Sequence, residues 1–154
     1  WKDCPPEEKG NYNYLLEVID WKLNIDPDLH KNRFMLPIPA REPELMKKSG
    51  YCEEWICYKC SEVCAKRLTV FPGQTVTIHD AAAYGIICIQ GSGRFGSYPL
   101  ETPTLIRYGQ STYDEFFVSE SAAKEGVTIT NTSNCEDIVI LKHFAENDDL
   151  LMLT

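Results

Sequence analysis

Three sets of residues in this 154-residue chain have the types and spacing to do chemistry. The sharpest is a run of thiols: Cys57 and Cys60 are separated by two residues, Cys64 follows, and Cys52 lies just upstream. Thiolates at such a spacing can supply tetrahedral zinc. Yet no second Cys-x-x-Cys pair closes the set, and Cys57 and Cys64 fall in successive strand-like segments that flank a turn. They read as unpaired thiols. The second set is GSGRFGSYP, residues 91–99, whose glycines imitate a phosphate-cradling loop. No helix follows to offer its N-terminus to an anion, so the segment reads as a hairpin turn. The third set is polar and lies in or beside strand-like segments: Glu101, Arg107, Tyr108, Asp114, Glu115, Lys142 and His143, with His79 upstream. Several of these pointing into one interior would bind sugar hydroxyls and move protons between adjacent carbons, as aldose–ketose interconversion requires. Strand alternation sends only every second residue inside, and the others belong to exposed faces and surface ion pairs.

The elements that must position these residues are short strands. From Tyr51 onward EEWICYK, CAKRLTVF, QTVTIHD, YGIICIQG, GRFGSYPLE, PTLIRYG, DEFFVSE, GVTITNTS and DIVILKHF follow one another, with Gly, Pro, Asn or Asp between them. YGIICIQG is nearly continuous in apolar residues, as in a strand covered on both faces, whereas TVTIHD and GVTITNTS alternate as half-buried strands do. Only SESAAKEG reads as a capped helical turn. This pattern predicts an all-β sandwich or barrel over residues 51–145. Residues 1–50 read differently. Pro5, Pro6, Pro27, Pro37, Pro39 and Pro43 limit regular structure. YNYLLEVID is predicted as one strand and AREPELMKKSG as a short helix stopped by Gly50. The segment is expected to be an irregular arm packed across the barrel, burying Trp21, Leu23, Phe34, Met35, Leu36 and Ile38. Residues 146–154, acidic and then apolar, form a tail suited to docking or a subunit contact.

Composition excludes several classes. The length suits one domain with one core. The net charge of −8 and the scattered basic residues give no footprint for nucleic acid or anionic lipid. No apolar run approaches a membrane span, and the first residues lack the apolar centre of a secretion signal. Seven cysteines, an odd and irregularly spaced set, point to reduced thiols in the cytoplasm and not to a disulfide framework. The first residue is Trp1, so the chain is expected to be a processed product or one piece of a longer polypeptide.

Residues 68–96, LTVFPGQTVTIHDAAAYGIICIQGSGRFG, resemble the first half of a cupin barrel, with its Pro-Gly turn, ligand-bearing strand and Gly-terminated return. Residues 107–144 resemble the second half, with Asn131 before the final strand pair. WICYK and ETPTLIRYG make the chain most similar to the C-terminal cupin domain of phosphomannose-isomerase-like sugar isomerase proteins. The resemblance implies a cupin double-stranded β-helix, a jelly-roll barrel. It also shows departures. Gly73 and His79 match the metal-binding pattern, but its second His falls on Ala81, its Glu on Tyr84 or Gly85 before Gly91, and its later His on Val127. One imidazole does not hold a divalent ion against its hydration. No cofactor is therefore expected, and Tyr84 is expected to fill part of the old metal space.

These readings give a cupin domain of a sugar or sugar-phosphate isomerase-like protein without the usual metal site, acting as a structural, dimerising or carbohydrate-binding domain, as a homodimer or beside another cupin domain. His79, Tyr84, Glu101 and Arg107 are its lumen candidates. The rival is an enzyme: a mannose-6-phosphate-like isomerase or epimerase using zinc or another divalent metal, with His79 joined by His30 or His143.

Overall fold

The computed structural model describes residues 1–58, 60, 62–103 and 108–145, apart from the side chain of Asn32. PTLIRYG falls largely outside the described residues, as do Arg107 and the tail at 146–154. The chain divides into two compact units, Trp1–Phe34 and Met35–Thr154.

The first unit is helical. After a 3-10 turn at Pro6–Glu8 come α1 (Tyr12–Val18), α2 (Trp21–Asn24) and α3 (Leu29–Arg33). The strand expected on YNYLLEVID is therefore a helix. Its local cause is Asn11, whose Oδ1 accepts hydrogen bonds from the amides of Asn13 (3.1 Å) and Tyr14 (3.2 Å), a cap that satisfies otherwise orphaned donors. Asp20 caps α2 in the same way through the Leu23 amide. Neither α1 nor α2 contains a buried residue.

The second unit begins before residue 51: β1 (Ile38–Pro39) and α4 (Pro43–Lys48) precede β2 (Tyr51–Cys57). Then follow β3 (Cys64–Val70), β4 (Thr75–Ile78), β5 (Tyr84–Gln90), β6 (Ser92–Phe95), β7 (Tyr98–Glu101), β8 (Glu115–Val118), α5 (Glu120–Glu125), β9 (Val127–Asn131) and β10 (Ile138–Phe144). One sheet has the order β1-β2-β3-β10-β5-β8 and the other β4-β9-β6-β7, with every pairing antiparallel. β3-β10-β5-β8 facing β4-β9-β6-β7 is the double Greek-key connectivity of a jelly roll. Among the described residues the sheets remain two ladders, without a continuous hydrogen-bonded closure.

GRFGSYPLE forms a hairpin in which Phe95 pairs with Tyr98 across Gly96 and Ser97. The upstream glycine of GSG serves close approach: a Cβ on Gly91, at φ +81°, would lie 2.4 Å from the Asp137 carbonyl oxygen. The core lies between the sheets, where Leu68, Val70, Val76, Ile86, Ile129 and Ile140 alternate inward from their strands.

Candidate functional site

Four charged side chains lie in the interior where strand alternation calls for apolar ones. On β3, Lys66 shares its face with Cys64, Leu68 and Val70; on β10, Lys142 shares its face with Ile138, Ile140 and Phe144. The two lysines are direct cross-strand partners, an arrangement that repels unless anions intervene. Glu53 supplies one anion from β2, inward like Trp55, and Asp80 supplies the other from the end of β4, in step with Val76 and Ile78. All four are at most 4% exposed.

Each carboxylate faces both ammonium groups. Lys142 Nζ donates to Glu53 Oε1 at 2.7 Å and to Asp80 Oδ2, while Lys66 Nζ donates to Asp80 Oδ1 at 2.8 Å and lies 3.7 Å from Glu53 Oε2. The quartet is neutral, and Asp80 reaches it from the opposite sheet. Aromatic rings complete its surroundings: Lys66 Nζ stands 4.6 Å from the Trp55 ring centre and Lys142 Nζ 4.8 Å from that of Tyr84, with Phe144 near both.

The charges decide the protonation states. Burial pushes the Asp80 carboxyl up, but Lys142 and Lys66, through charge and hydrogen bonds, outweigh it and hold the group below its ordinary value. Burial likewise pushes Lys142 down, and Glu53 and Asp80 reverse this, raising it above the ordinary lysine range. Tyr84 is pushed up to about 12, chiefly by burial. With Lys142 protonated, Asp80 ionised and Tyr84 a neutral phenol, Lys142 offers no nucleophilic amine at neutral pH and Tyr84 no phenolate.

The other candidates are dispersed. Tyr84 is buried between Phe144 and Lys142. His79 is exposed on the outer side of its strand end, and its Nδ1 lies 3.1 Å from the Lys124 carbonyl oxygen. It does not enter the lumen, because inward positions on this strand are 76, 78 and 80. Glu101 is exposed on β7. His143 faces outward, half-buried, beside a cavity of about 400 Å³ that also borders Gly85, Glu115 and Phe117. His30 stacks on Phe34 within the first unit. None of the seven cysteines is in a disulfide, and Cys60 Sγ donates to the Glu62 carboxylate at 3.2 Å. Burial raises Cys64 to about 11.

Among the described residues no three His, Cys, Asp or Glu side chains converge as a metal-binding group. The interior donor set does not fit a divalent ion either. Its two carboxylates are already engaged by two ammonium groups, which would face an added dication at close range. Sequence reasoning missed this quartet, although a charged residue at the apolar parity of three strands was its visible signal.

Strand order identifies the architecture. The fold is a two-sheet jelly roll. No protein-family model and no curated protein matches the sequence. Several solved structures are similar to the chain at low identity. A cupin 2 domain-containing protein from Halorhodospira halophila is 14% identical, with a TM-score of 0.46 over 66% of this chain and 67% of that one. An RmlC-like cupin protein from Ralstonia eutropha is 12% identical, with a TM-score of 0.44 over 63% and 57%. A structure of Rhodobacter sphaeroides SigE in complex with the anti-sigma ChrR matches at 14% identity and a TM-score of 0.46, over 62% of this chain and 44% of the matched one. The chain thus spans about half the length of the last two. These likenesses concern architecture alone.

Proposed function

We propose that this cupin-type domain acts by binding, as a carbohydrate-binding or dimerising partner in a sugar isomerase-like protein, and not by metal-assisted chemistry in its lumen. The observation that carries this reading is the quartet. Glu53, Lys66, Asp80 and Lys142 are buried in the interior of the barrel unit, and their opposite charges are mutually satisfied. An aldose–ketose isomerase needs a base free to take a proton, whereas the Asp80 carboxylate is held by both lysines.

The carbohydrate part of the reading draws on the mouth between the sheets. Phe95 stacks on Phe116 at 5.2 Å, Tyr98 lies 6.0 Å from the same ring, and these rings with Phe117, Ser97 and Ser119 border a cavity of about 360 Å³. That volume suits a small ligand, and flat apolar rings beside hydroxyls match the alternating apolar and polar faces of a sugar.

Elemental analysis of the purified chain, with assays of sugar and sugar-phosphate interconversion in added zinc, manganese or nickel, tests the proposal. The expected result is substoichiometric metal and no turnover. Turnover that disappears in a folded Asp80→Asn variant would overturn it.

A further inference from the structure

We infer that the concavity at the end of β4 is a second binding site, one for the oxyanion of a phosphorylated small molecule. It has a volume of about 520 Å³ and is lined by Arg41, His79, Asp80, Ala81 and Lys124. Three basic side chains meet there from separate parts of the barrel unit: Arg41 before α4, His79 after β4, and Lys124 in the last turn of α5. Convergence of this kind is notable in a chain of net charge −8. The acidic member does not cancel it, because Asp80 gives both carboxylate oxygens to the buried lysines. In this respect alone the inference rests on the quartet.

The site is built around His79. Arg41 Nη2 donates to the His79 carbonyl oxygen at 3.3 Å, which anchors the guanidinium beside the imidazole. The imidazole is oriented in turn by the Lys124 carbonyl. A carbonyl only accepts, so Nδ1 carries the proton, and Nε2, which accepts in the neutral ring and donates in the imidazolium, is left for a ligand. The Gly126 backbone packs closely against the ring. A Cβ on Gly126, whose φ is +102°, would lie 2.5 Å from His79 Cε1. The Asp80 amide donates to the Ala123 carbonyl at 3.0 Å and holds α5 against this end of β4.

Phosphate suits these groups because the planar fork of arginine matches two of its oxygens, while lysine adds a point charge. Glu120 occupies Lys124 Nζ at 2.5 Å, and the adjoining acids Glu42 and Glu125 also oppose an anion. That contact takes one of the three Lys124 donors, and the three acids together make binding of inorganic phosphate alone weak.

Titrating inorganic phosphate into the full chain at constant ionic strength, with the three histidine rings followed by NMR, tests the site. Saturable shifts of the His79 ring are expected, with the His143 and His30 rings unmoved. Arg41→Gln should raise the dissociation constant about tenfold, the effect of losing one charge-assisted pair. Lys47→Gln, which removes the same charge from exposed α4, should leave it unchanged. Gly126→Ala, which alters no charge, should weaken binding by displacing the imidazole. A flat His79 response, or equal losses in Arg41→Gln and Lys47→Gln, would overturn the inference. Metal content and turnover are read separately, so that outcome would leave the closed lumen standing.

Discussion

The interior quartet makes a demand on individual residues that apolar core positions do not. Removing the Lys142 ammonium leaves Glu53 and Asp80 facing Lys66 alone, an uncompensated buried charge. Lys142→Met should therefore lower stability by about 3–5 kcal/mol, read as a shift of the urea midpoint. Adding Glu53→Gln restores neutrality, so the double variant should cost less than the sum of the two single ones, by about 1–3 kcal/mol. Equal and additive losses would show that the four groups do not act together. The pH dependence follows from the same contacts. Asp80 is depressed in the folded state, so its contribution is complete above the ordinary carboxylate value of about 4 and is lost as pH falls through the lower folded value. Lys142 and Tyr84 are raised, so theirs are complete below about 10 and fall away as pH rises through the folded values. A stability plateau between about pH 4 and 10 is expected, and Asp80→Asn should flatten its acid side. Ultraviolet titration should show Tyr84 ionising near 12. The quartet escaped sequence reading because the cupin resemblance directs the eye to His79, the residue one step out of phase. Parity with Val76 and Ile78 makes Asp80 the inward one.

Strands and turns were largely legible because their signals are local. The alternation of GVTITNTS, the capped turn SESAAKEG and the glycines of the β6–β7 hairpin all reappear as β9, α5 and a two-residue turn. YNYLLEVID was misread because aromatic and branched residues favour a strand only where a neighbouring strand exists to pair with it. Residues 1–34 contain no strand, and a capping asparagine decides for helix. Asn131 shows how one polar side chain fixes the joint between elements. Its Nδ2 donates to the carbonyls of Val70 (2.9 Å) and Glu136 (2.8 Å), and its Oδ1 accepts from the Ser133 amide (2.9 Å), tying the end of β9 to the end of β3 and to the following turn. Asn131→Ala strands these backbone groups in a buried place. A loss of about 2–4 kcal/mol is expected from denaturant unfolding. A change below 0.5 kcal/mol, the range of ordinary surface substitutions, would show that water or rearranged backbone replaces the amide.

The whole chain joins two units of different physical character. The barrel unit buries an apolar core between its sheets, whereas α1 and α2 in the first unit bury nothing and leave Tyr12, Leu16, Val18, Trp21 and Leu23 exposed. Helices of seven and four residues are too short to persist on propensity, since nucleation outweighs the few hydrogen bonds they close. Amide hydrogen exchange should therefore divide the molecule at Phe34. Residues 12–33 are expected to exchange within seconds to minutes at neutral pH in dilute solution, while the central strands β3, β5 and β10 exchange only through global opening. The exposed apolar residues add a second expectation, because a segment of this composition gains stability by covering them. If a second copy supplies that cover, protection over 12–33 will rise with protein concentration while that of the barrel strands stays constant. A concentration-independent, slowly exchanging first unit would contradict both statements and would require a stable apolar contact for it within a single chain.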